Sequence, residues 1–442
     1  MVNSFALRLI SLYRTYLGKY FIFRLVRVAT SYSYIAIYRI YCSLTFFGTV
    51  TDYSLINYGS YSGSHLVLRL PIFPSQLHSI KPPKIVNHHS EFSSVNLSKP
   101  KGMIWKIDLI ELRNILVVGG SDFIFAGKMA IVPDCFIEFK DTCPSNIFGV
   151  TTINHLRRSL RLYLSEKNLS VKSAISLLGQ SSANYAHWLT EILPKLAMLE
   201  FYPQYSHLPI LVDAHLHPNI YESIAVVAGK HRILIFVERW VGVEIENAIC
   251  ITQPGYEPYI PHGLFNTGIP RLSNLFSTHA LITLRNTVLN SSVYSKKGKR
   301  IKIFFCRNSS SRNFRTLKNS AQIEDLLKKN DFLIVDPFEL TFIEQVQLCH
   351  AASIIVAPVG ASLANMIFAS SDCYILGLSP YYKNANYYFY SNLAAALNIN
   401  FAYILGYQVG KGGHPSQRSY EINIADLMSA LGLSLENSKS QF

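Results

Sequence analysis

Ile354-Ile-Val-Ala-Pro358-Val359-Gly360-Ala361-Ser362-Leu363-Ala364-Asn365 decides the fold. Its first four residues are apolar without alternation, the mark of a strand buried on both faces, as in a parallel sheet. Pro358 and Gly360 end the run, and the small residues behind them open a helix over 361–368. Free N–H groups at such a helix start attract anions, and small side chains let a phosphate approach the backbone. The same residues also suit a tight strand–helix turn with no ligand. The spacing fits neither G-x-x-x-x-G-K-[ST] nor G-x-G-x-x-G, so it is neither a P-loop nor a dinucleotide fingerprint.

Working outward, short apolar runs alternate with helical patterns. Strands are predicted at 115–118, 208–212, 233–237, 301–306, 332–335, 354–357, 374–378 and 401–405. Helices are predicted at 185–201, 320–329, 342–352, 361–368, 387–397 and 425–431. This alternation implies an α/β fold with parallel sheets covered on both faces. The stretch 254–300 is rich in Pro and Gly, which places a boundary between two α/β domains, 51–285 and 286–435. Residues 71–105, rich in Pro, Ser, Lys and His, read as an irregular connection. The 442 residues accommodate this plan, and 49% hydrophobic content supports sizeable cores.

Forty-one Lys and Arg against 27 Asp and Glu give a net charge of +14, concentrated in two places. Residues 1–50 hold six basic residues and no acid, and 258–323 contains no Asp or Glu. Two local anion-seeking regions fit this better than a nucleic-acid coat. No uncharged apolar run in the first segment is long enough to span a membrane. A basic aromatic arm can lie on an anionic membrane surface, or pack on the protein's own body. Seven scattered Cys without C-x-x-C argue against a disulfide framework and a zinc site. The expected location is cytoplasmic, peripheral at the inner face of the membrane.

Three constellations could carry chemistry. In Asn184-Tyr-Ala-His187-Trp188-Leu-Thr-Glu191-Ile-Leu-Pro194-Lys195-Leu196, helical spacing puts Asn184, His187 and Glu191 opposite an apolar stripe. An imidazole and a carboxylate so placed suit acid–base work, although a solvated face has the same spacing. Asn184 suits an N-cap, and Pro194 should kink or end the helix. The strand 301–306 delivers a loop containing Arg307, Arg312 and Arg315 to the sheet's carboxyl edge, where guanidinium groups suit phosphate. The third constellation is the opening stretch, with Gly360, Ala361, Ser362 and Asn365. There is no D-x-D, so no carboxylate-clamped metal or other cofactor is expected. His215-x-His217 reads as a surface turn.

In order along the chain, these segments resemble glycosyltransferase family 61. The elements that carry the likeness are Asn184–Leu196, Cys306–Arg312, Glu344-Gln345-Val346 and Pro358–Asn365, with Ser419–Leu427 as a closing strand and helix. The resemblance implies two Rossmann-like domains facing a cleft (the GT-B arrangement). It also implies an inverting transferase that uses a nucleotide sugar as co-substrate and a glycan or lipid-linked glycan as acceptor in surface polysaccharide synthesis. Many members have His where Val359 stands and Glu where Gly377 stands. These departures leave open a catalytically idle membrane-associated assembly protein that binds a glycan or nucleotide. In the active reading, His187, Glu191 and Asn184 form the catalytic face. Arg307, Arg312, Gly360, Ala361, Ser362 and Asn365 hold the donor.

Overall fold

The computed structural model describes residues 48–79, 82–87, 101–134, 150–154, 158–165, 168–256, 275–295, 298, 300–307, 315–382, 385, 387–410, 415 and 418–433. Arg312 and residues 1–47 of the basic arm lie outside the described residues, so the arm's placement is not addressed. No helix among the described residues is long and apolar enough to cross a membrane.

The later sheet follows the sequence reading closely. It runs Phe332–Val335, Ile301–Phe305, Ala352–Pro358, Tyr374–Pro380, Asn400–Val409 and Ser419–Glu421, and only the last strand is antiparallel. The spatial order 2-1-3-4-5-6 is that of a doubly wound sheet. Helices Ser320–Lys328, Phe342–Ala351 and Tyr388–Ala396 fill three crossovers. Ala361–Phe368 fills another, as a 3-10 helix rather than an α-helix. Thr341 and Glu344 close a capping box at the start of Phe342–Ala351.

The earlier sheet corrects the expectation of parallel strands throughout. Leu169–Ser176, Ile210–Asp213, Leu234–Val237 and Gly242–Ile251 are parallel, in spatial order 3-2-1-4. That part is a four-stranded parallel unit. Gly242–Ile251 then pairs antiparallel with Ile107–Val118, and further strands continue to an eleven-stranded mixed sheet. The extension includes hairpins, such as the turn at Gly127 (φ 57°) between Ile124–Ala126 and Met129–Val132, and Gly48–Asn57 then joins Met129–Val132 in parallel. Hairpins need no crossover helix, so their strands leave no alternating strand–helix signal.

The stretch 71–105 is not simply irregular. Gln76–Ser79 pairs with Lys101–Ile104. Val86 N–H donates to Tyr403 O at 2.9 Å, and the Asn87 amide donates to Leu405 O at 2.8 Å. An early segment thus adds to the late sheet. The two halves also share one core. Trp188, Leu193 and Leu196 from the first half pack in the same cluster as Phe342, Ile367 and Leu393 from the second. Helix Thr278–Leu289 contributes Leu281, Leu284 and Val288 to it.

Candidate active site

The motif helix starts as predicted. Asn184 caps it, its side chain accepting from Ala186 N–H at 3.1 Å. Pro194 does not end the helical run but interrupts its α-helical ladder, standing in the first turn of the α-helix Leu193–Leu199. Its ring would strike the carbonyl four residues back, and it has no N–H to donate. The chain instead widens into a π turn over Trp188–Ile192, where Leu193 N–H reaches Trp188 O, and resumes as α-helix over Leu193–Leu199. π turns inside helices recur at functional sites. Here the turn carries Glu191.

His187 Nδ1 lies 2.8 Å from Glu191 Oε1. An ionised carboxylate only accepts, so Nδ1 carries the proton, and in the neutral ring the lone pair is then on Nε2. The His187 side chain is 18% exposed and that of Glu191 is 9%. The face is therefore half sunk rather than solvated. Glu191 Oε2 accepts from Gln253 Nε2 at 3.4 Å. Lys195 is buried nearby, close enough to act electrostatically on Glu191 and Asp122, and its burial lowers its pKa. Asp213, a conceivable alternative base, is tied down. Its Oδ1 accepts from Gly120 N–H at 2.6 Å and its Oδ2 from Gly179 N–H at 3.0 Å.

Asp122 adds a charge that sequence reading misses. Burial pushes its carboxyl up to about 6, against the opposing pull of Lys195. Its Oδ1 is shut off from solvent without a hydrogen-bond partner. The folded pKa exceeds the unfolded value, so the stabilising contribution is complete below about pH 4 and is lost as pH rises through about 6. A two-unit gap corresponds to at most about 3 kcal/mol. Asp122→Asn is expected to flatten the pH dependence of urea-unfolding free energy between pH 4 and 7. An unchanged slope would show that Asp122 titrates normally.

At the late sheet, Arg307 follows the strand Ile301–Phe305 and Val359-Gly360 follows Ala352–Pro358. In the 2-1-3-4-5 order, the gap between these two strands is the topological switch point, where open α/β sheets bind ligands. Gly360 lies against Arg307. A Cβ on it would stand 3.1 Å from Arg307 Nη2. Arg307 Nη1 donates to Arg315 O at 3.2 Å, and Arg315 Nη2 donates to Val359 O. Burial and the Arg315 charge both lower the Arg307 pKa. Among the described residues, neither guanidinium forms an ion pair with a carboxylate. Two adjoining cations held only by neutral oxygens make a seat for an anion. Arg315 belongs to this site although the sequence favours Arg307 and Arg312. Loop spacing does not tell which of several arginines turns back to the sheet edge.

Asn365 is placed differently from Gly360, Ala361 and Ser362. It is fully buried, and its amide is used internally. Tyr185 O–H donates to Asn365 Oδ1 at 2.9 Å, and Asn365 Nδ2 donates to Gln345 Oε1 at 2.6 Å. Gln345 Nε2 in turn donates to Pro337 O and Leu340 O. This chain ties the motif helix to the late half. Ala361 and Ser362 stay half-buried at the start of their 3-10 helix. Val359 and Gly377, the two departures from the family pattern, prove to be neighbours. A Cβ on Gly377 would lie 3.2 Å from Val359 Cγ2 and 3.0 Å from Phe401 Cζ. They form one local apolar change, and the Val359 backbone still receives Arg315.

The two sites adjoin across consecutive residues of one helix. Phe389 packs at 6.2 Å from the His187 ring, and Tyr390 O–H donates to Gly360 O at 2.6 Å. The base candidate and the cation pair are thus separated by the Phe389–Tyr390 step. No group of residues with metal-ligand geometry occurs among the described residues, and His217 caps the helix Pro218–Ala228. The chain matches the Glycosyltransferase 61 family over residues 185–376, a span that includes His187, Glu191, Arg307, Arg315 and Gly360. No curated protein matches it.

Proposed function

We propose that this chain, a member of glycosyltransferase family 61 through residues 185–376, transfers a sugar from a nucleotide-sugar donor to a glycan or lipid-linked glycan, with inversion at the anomeric carbon. Membership makes the activity class glycosyl transfer. The carrying observation for the rest is the adjacency just described, an imidazole–carboxylate pair one helix step from two carboxylate-free arginines at a switch point. A nucleotide-sugar donor needs cationic stabilisation of its departing phosphate oxygens, which fixed guanidinium groups supply. The acceptor hydroxyl needs a base, and the imidazole of His187, oriented by Glu191, is the candidate.

In this reading the donor diphosphate lies against Arg307 and Arg315, with the Gly360 backbone beside it. Arg312, five residues after Arg307 in the sequence, is a further candidate for the diphosphate. As the acceptor oxygen attacks the anomeric carbon, its proton passes to His187 and the carbon–phosphate-oxygen bond breaks toward the arginines. The two halves serve as acceptor and donor sides of a GT-B-type enzyme. Arginine takes the place of a metal, and the product belongs to a surface polysaccharide.

The test is calorimetric titration of the whole protein with UDP and GDP in the presence of a chelator. Arg315→Ala and Arg307→Ala are each expected to weaken binding by about 1.5–3 kcal/mol, the range for hydrogen bonds to charged groups. Unchanged affinity in both variants would remove the pair from the donor site. Binding that requires added Mg²⁺ or Mn²⁺ would sink the metal-independent mechanism.

A further inference from the structure

Lys195 is a buried cation that the transfer chemistry above does not use. It lies on Leu193–Leu199, just beyond the π turn that carries Glu191, and is 8% exposed. Four residues of helical spacing bring the Glu191 and Lys195 side chains toward one face. Burying an ammonium group costs free energy unless a close opposite charge offsets it. Among the described residues, no carboxylate stands within ion-pair distance of Lys195. A contact salt bridge therefore does not explain it, and an apolar side chain would occupy the same place at less cost.

The charges around it give it a use. Asp122, which follows the strand Ile107–Val118, and Glu191 both act to keep Lys195 a cation, against the effect of burial. Asp122 Oδ1 is closed off from solvent without a hydrogen-bond partner, and Lys195 is the charge that favours its ionised form. Two further titratable groups border the cluster. Asp213, at the end of Ile210–Asp213, is served by the Gly120 and Gly179 N–H groups, the Ser182 side chain and the Arg239 charge. Cys250, on Gly242–Ile251, stays a neutral thiol because burial pushes it up to about 12. Beside the imidazole, Phe389 adds no charge. The field of Lys195 thus falls on Glu191 and Asp122. Its consequence reaches His187. A carboxylate 2.8 Å from Nδ1 favours the imidazolium, and an imidazole already protonated cannot take the acceptor proton. A cation beside that carboxylate works against this.

We propose that Lys195 is a positioning residue of the base. Its buried ammonium offsets the Glu191 charge and keeps the His187 imidazole unprotonated between turnovers, while Asp122 limits how strongly that ammonium acts. The proposal rests on the reading of His187 as the base.

The experiment is an NMR pH titration of the full chain with isotope-labelled histidine, the His187 signal being the one lost in His187→Gln. The midpoint belongs to the His187–Glu191 pair as a unit. Lys195→Met keeps the bulk and removes the charge, so the proton affinity of the pair should rise ~3-fold or more. Asp122→Asn removes the opposing charge and should lower it. Lys195→Arg keeps the charge and should leave the midpoint near wild type. A purely structural role would not move the midpoint in opposite directions on removal of opposite charges. A Lys195→Met midpoint at or below wild type, or the same direction of shift in Lys195→Met and Asp122→Asn, overturns the proposal. Where Lys195→Met does not fold, Asp122→Asn decides: a lowered midpoint supports the proposal, and an unchanged or raised one overturns it. Wild-type turnover in His187→Ala would strike the base reading instead, while the titration still reports the charge coupling.

Discussion

His187→Ala is expected to lower kcat for sugar transfer by ~10²–10⁴, the usual contribution of a positioned general base, while UDP and GDP affinities stay close to wild type. An inverting transfer is a single displacement, so one side chain must take the acceptor proton as the donor bond breaks. The geometry favours His187 over its neighbours. Glu191 is bonded to the imidazole on one oxygen and to Gln253 on the other, which suits orienting the ring. Asp213 is committed to the backbone of Gly120 and Gly179. Glu191→Gln should therefore cost less than His187→Ala, and it should alter the pH–rate profile because the imidazole loses its anionic partner. Turnover of His187→Ala at the wild-type level would move the base elsewhere and leave this face to acceptor binding.

The two halves of the chain were not equally legible. In the later sheet every parallel strand is an apolar run between helical patterns, because each parallel crossover requires a helix. The earlier sheet follows that rule only around Leu169–Ser176, Ile210–Asp213, Leu234–Val237 and Gly242–Ile251. Its extension, from Ile107–Val118 through Gly48–Asn57 to Ser159–Ser165, pairs mostly antiparallel and includes strands as short as Ile124–Ala126 joined by a tight turn to Met129–Val132. It therefore resembles connection more than core in the sequence. At the site, the His187–Glu191 pair is readable because four residues on a helix bring side chains together. The tether from Tyr185 to Asn365 spans 180 residues, and no local pattern encodes it. Asn365 consequently reads as a ligand-loop residue, when its burial and its two amide bonds make it part of the joint between the halves. Asp122 and Gln253 enter the site from hairpin and strand ends distant in sequence, so only the fold assembles them around Glu191 and Lys195.

Trp188→Ala is expected to destabilise the protein by ~3–5 kcal/mol, the range for truncating a buried large aromatic residue. Trp188 is fully buried in the cluster common to both halves, and its indole N–H donates to Ser223 Oγ at 2.9 Å. The Trp188 carbonyl also receives Leu193 N–H and so closes the π turn that presents Glu191. Truncation removes packing at the point where the motif helix, the helix Pro218–Ala228 and the late half meet, and partial collapse cannot refill so large a volume. Trp188→Phe should cost much less, about 1–2 kcal/mol. It keeps most of the ring volume, and Ser223 Oγ retains its own bond to Ile220 O. Urea unfolding of the three proteins, followed by far-UV circular dichroism, measures both differences. A loss below ~1 kcal/mol for the Ala variant would mean that the core relaxes around the gap. Trp188 would then not be what holds His187 and Glu191 in register. If the Ala variant loses stability as expected and the Phe variant keeps wild-type transfer kinetics, the indole serves the site through packing, and the chemistry stays with the imidazole one residue before it.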